Sequence, residues 1–179
     1  MVMIMRICIQ PVGDVNDEIL KFLKKKFGEV FGMCEILPKI DIPIYAYNFS
    51  RGQFNSTLIL KSLPTVEDIV LGVTEVDIYA DNLNFVFGEA ELFGKRALIS
   101  LARLRPEFYG LPPNKDVLKI RALKEAIHEI GHVLGLIHCE NKRCVMSFSN
   151  SIIDVDLKDW RYCKKCLKKL QDRGIYISI

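Results

Sequence analysis

All three histidines of this 179-residue chain fall within eleven residues, His128-Glu129-Ile130-Gly131-His132-Val133-Leu134-Gly135-Leu136-Ile137-His138. His128 and His132 stand four apart, so on a helix they project from one face and can both ligate one metal ion. Glu129 lies about 100° round that helix from His128, within reach of a metal-bound water without being a ligand itself. Gly135 can take the left-handed conformation that ends a helix and turns the chain back. That turn would return His138 as a third nitrogen ligand. Three protein ligands leave a fourth position for water, the arrangement of a catalytic zinc rather than a structural one. Zinc lowers the pKa of such a water to roughly 7, so a nucleophile exists at neutral pH. The alternative is a chance cluster with two satisfied core histidines. It must also account for the glycine, the third histidine and the amphipathic pattern that precedes them.

The pattern His-Glu-x-x-His-x-x-Gly-x-x-His resembles the signature of the metzincin metallopeptidases. That resemblance implies a methionine in a tight turn beneath the metal, and Met146, eight residues after His138, is the candidate. On spacing alone Met146 reads equally well as an ordinary apolar contact. Several metzincins place a tyrosine two residues after the turn methionine. Here that position is Phe148, which carries no hydroxyl. Oxyanion stabilisation would then fall to the zinc, a backbone amide or another side chain.

Cys139 directly follows the third histidine, Cys144 comes after four intervening residues, and Cys163-Lys164-Lys165-Cys166 lies further on. Four thiolates spaced C-x4-C … C-x2-C suit a closed tetrahedral zinc site of the structural kind. A redox-active C-x-x-C and unrelated buried cysteines are the alternatives. No strand directly precedes Cys163 to make a thioredoxin-like turn. The adjacency of His138 and Cys139 means that one metal would pin the loop delivering the third ligand of the other.

Taken together, residues 128–166 are similar to the archaemetzincin family. Tyr45-x-Tyr47-x-x-x-Arg51-x-Gln53-x-Asn55 and Arg103-x-Arg105-Pro106-x-x-Tyr109-Gly110 resemble further segments of it. The resemblance implies a compact α/β single domain over 1–179. It has a twisted mixed β-sheet, a backing helix, an active-site helix and a zinc-stapled C-terminal helix. It further implies two Zn²⁺ per chain, one on His128, His132 and His138 and a structural one on Cys139, Cys144, Cys163 and Cys166. Glu129 would be the general base and Met146 the turn methionine. An extended peptide substrate would pair with an edge strand within Asn84–Ala90.

These side chains need elements to hold them. Apolar runs predict strands over 3–9, 33–37, 68–74, 85–90 and 96–101, and the alternating tail 175–179 reads either as a final strand or as a cover for the core. Ile19, Leu20, Leu23 and Phe27 form one stripe of a helix over 15–27 that Gly28 should end. A short helix is expected around 55–63, stopped by Pro64. After Pro112-Pro113, Asn114 or Asp116 would cap a helix carrying Val117, Ile120, Leu123, Ile127, Ile130 and Leu134 up to Gly135. A last amphipathic helix is expected over 154–172, with Trp160, Cys163, Leu167 and Leu170 on one side. The chain thus divides into a sheet and helix part (1–113), the active-site helix and turn (114–138), and the methionine loop with the cysteines (139–179).

Composition sets the outer limits. Half the residues are hydrophobic, which excludes disorder and low-complexity classes. With 25 Lys+Arg against 22 Asp+Glu, the net charge of +3 does not argue for a nucleic-acid or membrane partner. No apolar run approaches the ~20 residues of a membrane span, and Arg6 interrupts the N-terminal run without a cleavage site after it. A cytoplasmic, monomeric protein is expected, where paired cysteines hold metal more often than they form disulfides. Lys164, Lys165, Lys168 and Lys169 read as a solvated helix face, and Arg51, Arg103 and Arg105 as partners of surface carboxylates, with a grip on a substrate carboxylate as the alternative. The expected activity is zinc-dependent peptide hydrolysis. A non-catalytic zinc protein that binds peptide or nucleic acid through its basic C-terminus is the alternative.

Overall fold

A computed structural model describes residues 5–178. Residues 3 and 4 of the expected first strand, and residue 179, lie outside them. From Met5 onward the apolar run forms strand β1 (Met5–Val12), which joins β2 (Gly32–Ile36), β5 (Ile69–Thr74), β8 (Arg96–Ser100) and β7 (Gly88–Ala90). The order is β2-β1-β5-β8-β7, parallel except for the antiparallel β7, so the sheet is mixed as expected. Strand alternation sends Ile7, Ile9, Leu71, Val73, Ala97 and Ile99 to one face and Cys8, Val70 and Leu98 to the other.

Two helices cover the first face. Helix α1 (Asp17–Phe31) is capped by Asn16, whose side chain accepts from Ile19 N, and it buries Leu23, Phe27, Val30 and Phe31. It runs through Gly28, contrary to the expected stop. Burying Val30 and Phe31 stabilises the last turn by more than the roughly 1 kcal/mol that a mid-helix glycine costs. Gly32, at φ 118°, ends it instead. The second helix, α3 (Lys115–Val133), is capped by Asn114 through Val117 N. Every residue from Arg121 to Gly131 is buried on it, because a C-terminal layer covers the side facing away from the sheet. Ile120, expected in the apolar stripe, is exposed. On the opposite face of the sheet lies α2 (Ser56–Ser62), capped by Asn55, beside a small sheet of β3 (Tyr47–Asn48), β4 (Gln53–Asn55) and β6 (Ile78–Tyr79).

Two further expectations need correction. The strand predicted over 85–90 is ordered in the sheet only at Gly88–Ala90. Its first half is drawn towards the small sheet, where Val86 N donates to Ile78 O and Arg51 donates to the carbonyls of Leu83 and Asn84. The predicted final helix is two, α4 (Ile152–Leu157) and α5 (Lys164–Gln171). Between them Lys158 turns extended and buries its ammonium completely, which a continuous solvated helix would not allow. Of the two readings of the C-terminal tail, the cover holds over 175–178: no strand forms there, and Ser178 N donates to Val30 O beside α1. None of the described helices is long and apolar enough to cross a membrane.

Candidate active site

Helix α3 ends in a hydrogen-bonding pattern that fixes the histidines. Gly135 N donates to His132 O, and Leu136 N reaches back to Gly131 O. With Gly135 at φ 96° this is the paired closure of a Schellman turn. A β-carbon at Gly135 would also collide with Phe93. The chain then brings His138 over the helix, and all three imidazoles present a ring nitrogen within 4.8 Å of one another.

The rings are oriented from behind. His128 Nδ1 lies 2.7 Å from Val145 O, and His132 Nδ1 lies 2.7 Å from Leu136 O. A ring Nδ1–H facing a carbonyl leaves the Nε2 lone pair free for a metal. The two Nε2 atoms stand 3.2 Å apart, close to the ~3.4 Å edge of a tetrahedron with zinc–nitrogen bonds near 2.05 Å. Burial, followed by the Lys158 charge, pushes His128 well below the ordinary histidine range. Burial lowers His132 and His138 as well. Neutral imidazoles are the form that binds metal.

Met146 is fully buried beneath this group. A β-carbon at Gly131 would overlap its sulfur, so the glycine between the two helical histidines exists for close approach, not for helix ending. Tyr162 packs at the same place and donates to Ile127 O. Phe148, two residues beyond Met146, sets its ring 5.3 Å from that of His138 and contributes no polar atom.

The four expected cysteines also converge. Cys139 and Cys163 sulfurs are 3.8 Å apart, those of Cys144 and Cys166 3.7 Å, and all four lie within 4.8 Å of one another. A tetrahedron of sulfurs about 2.3 Å from zinc has edges of about 3.8 Å. Hydrogen bonding with Cys166 pulls the Cys144 thiol down to about 5, and the amides of Cys163 and Met146 also favour its thiolate. Cys139 N donates to Met146 O, joining this cluster to the loop under the histidines. Cys8 and Cys34 stand apart in β1 and β2, and burial pushes Cys34 up to about 12.

A cleft of about 560 Å³ opens over the histidines. Residues 82–90 form one wall, Phe148, Ser149 and Asn150 the other, and Glu125, His128 and Glu129 the floor. Gly88 makes room for the acid, since a β-carbon there would stand 2.9 Å from Glu129 Oε1. Glu129 is buried. That burial, with Glu125 next, raises its carboxyl well above the usual range.

Several neighbours of the cleft were not anticipated. Glu125 forms an ion pair with Lys158 at 3.2 Å, and Glu89 accepts from the hydroxyls of Ser56 and Thr57. One signal for Glu125 was available: it stands in the stripe Leu118, Ala122, Glu125, Glu129, a carboxylate at a core-facing position. Arg103 pairs with Asp77 and Arg105 with Glu75, as expected. Arg51 instead holds the 83–84 segment of the cleft wall.

The model of Peptidase family M54 matches residues 9–172. An archaemetzincin of Pyrococcus furiosus is 48% identical over 178 residues, spanning 93% of each chain. One of Pyrococcus horikoshii is 51% identical over 165 residues, covering 86% of this chain and 88% of that one. The crystal structure of archaemetzincin from Archaeoglobus fulgidus, complexed with malonate, superposes with a TM-score of 0.84. It is 46% identical, with 92% of this chain and 99% of that one covered. The Methanopyrus kandleri archaemetzincin structure gives 0.83 at 34% identity, with 95% of each covered. The chain therefore belongs to the archaemetzincin family of zinc metallopeptidases.

Proposed function

We propose that His128, His132 and His138 hold a catalytic zinc through their outward nitrogens, and that Glu129 is the general base of peptide hydrolysis. Cys139, Cys144, Cys163 and Cys166 hold a second, structural zinc, giving two ions per chain. Met146 is the floor of the catalytic group. The observation that carries the reading is the single cleft in which Glu129 and the three histidines meet, with the acid buried and its proton affinity raised.

An extended peptide lies along the wall at residues 82–90 with its scissile carbonyl towards the histidines. Zinc, when bound, supplies a Lewis acid that polarises that carbonyl and acidifies a water. Glu129 Oε takes a proton from the attacking water and passes it to the departing amine nitrogen. A carboxyl raised by burial holds the proton long enough to deliver it, which an ordinary solvent-exposed glutamate does poorly. The carbonyls of Val145 and Leu136 keep the imidazoles from rotating during the cycle. Phe148 shields the cleft without donating to the oxyanion. Four reduced thiols fit a reducing, cytoplasmic setting.

Glu129→Ala tests the assignment. Zinc content should stay near two per chain while peptide hydrolysis falls by at least about a hundredfold. Hydrolysis retained at the wild-type rate would remove Glu129 from the mechanism.

A further inference from the structure

The turn that returns His138 is held from outside by two residues that belong neither to the histidine motif nor to the cleft lining. Phe93, in the turn between β7 and β8, has a left-handed backbone at φ 55°. Bulky L-residues adopt that conformation only where their surroundings impose it. Hydrophobic burial does not impose it here, since the residue is 66% exposed. The conformation instead brings Phe93 onto the end of α3. Its backbone N donates to His132 O at 3.2 Å, and its ring lies against Gly135, where a β-carbon would overlap it. Arg173, two residues after α5, closes the other side. Its guanidinium carbon stands 4.9 Å from the centre of the Phe93 ring, and its Nη1 donates to Leu134 O at 3.0 Å. A β-carbon at Gly135 would overlap that nitrogen too.

We propose that Phe93 and Arg173 are positioning residues for the catalytic metal, a clasp that fixes the turn from which His132 and His138 are aimed. This rests on the reading of the three histidines as the zinc site. The turn has two duties: Leu136 O orients the His132 ring at 2.7 Å, and the chain two residues further on carries His138. Gly135, at φ 96°, permits the turn but has no side chain with which to hold it. Carbonyls at a helix end lack the partner of a full helical turn, and Phe93 N and Arg173 Nη1 occupy those of His132 and Leu134. The strand leading into Phe93 is Gly88–Ala90, which lines the cleft and passes close to Glu129. The clasp therefore ties the cleft wall to the ligand turn. Groups that orient metal ligands from behind change metal retention by about tenfold or more when removed.

The test compares zinc-loaded wild type with Phe93→Gly and Arg173→Met. Glycine at 93 keeps the N–H and accepts the left-handed backbone, so that variant removes only the ring. Each protein is challenged with excess EDTA, zinc release is followed by elemental analysis, and His128→Ala identifies the histidine-bound phase by lacking it. That phase should be tenfold or more faster in both variants, while the cysteine-bound phase and the amide exchange of Leu71 and Ile99 in the central sheet stay as in wild type. A smaller acceleration in either variant overturns the proposal. So does a matching acceleration of the cysteine phase and the core amides, the mark of general loosening. If the wild type carries no histidine-bound ion, the zinc reading fails separately, and the clasp is read from amide exchange at Gly135 and Leu136 in the same samples. Tenfold faster exchange there in Phe93→Gly, with Leu71 and Ile99 unchanged, supports it, and unchanged exchange refutes it.

Discussion

Replacing Lys158 by methionine removes one half of a buried ion pair and leaves Glu125 without its cation. Two estimates bound the consequence. At 3.2 Å and an effective dielectric of 20, the Coulomb attraction is about 5 kcal/mol. Glu125 has an escape, however, because it can take up a proton. From an ordinary value of 4.5, neutralising it at pH 7 requires about 3.4 kcal/mol, at 1.36 kcal/mol per pH unit. The cheaper route wins, so Lys158→Met should destabilise the protein by about 3 kcal/mol at pH 7. At pH 5.5 the same route requires only about 1.4 kcal/mol. The sign is fixed by linkage: in the variant the folded state binds a proton that the unfolded state releases above 4.5. Its deficit therefore grows as pH rises from there. Urea denaturation of zinc-loaded wild type and variant at both pH values, followed by Trp160 fluorescence and far-ultraviolet dichroism, measures the difference. Glu125→Leu combined with Lys158→Met should recover most of the loss, since both charges go together. A loss under 1 kcal/mol at pH 7, a loss as large at pH 5.5, or a double variant no better than the single would refute the reasoning.

Other expectations follow from the same geometry. Gly131→Ala should gain about 1 kcal/mol of helix propensity, yet overlap with the buried Met146 sulfur should reverse the sign to a net loss of about 1–2 kcal/mol. A more stable variant in urea denaturation would show that the methionine is not packed there. In the metal-free protein, burial lowers all three histidines, so the unfolded chain takes up protons that the folded one refuses. Stability should fall as pH drops below about 6.5, and a chemical-denaturation series from pH 8 to 5 that stays flat would contradict this. Cys166→Ser should reduce zinc measured by elemental analysis from about two equivalents to about one. It should also speed loss of the remaining ion to a chelator, because Cys139 N anchors Met146 O. Zinc content unchanged at two equivalents would count against the four-cysteine site.

The histidine spacing, the turn at Gly135 and the cysteine pairs were legible in the chain because each depends on local geometry. A helix repeats every 3.6 residues whatever surrounds it, so His128 and His132 share a face before any packing is known. The left-handed turn needs only a glycine in the right place. Metal-ligand spacings such as Cys163 to Cys166 are set by chain reach over a few residues. Of the two caps the sequence offered for the long helix, Asn114 performs that role.

What remained hidden depends on partners far apart in the chain. Lys158 breaks the last helix because Glu125, 33 positions away, gives its ammonium a buried counter-ion. Nothing within a few residues of Lys158 announces that. The strand at 85–90 is shortened because Arg51 and Ile78 draw its first half towards a second sheet. Phe93 and Arg173 come to flank one turn only when the β7–β8 connection and the chain after α5 pack against the end of α3. Short-range hydrogen bonding and side-chain periodicity therefore determine the proposed ligands. Burial of charge, and the pairing that burial demands, decide the walls and floor of the cleft around them.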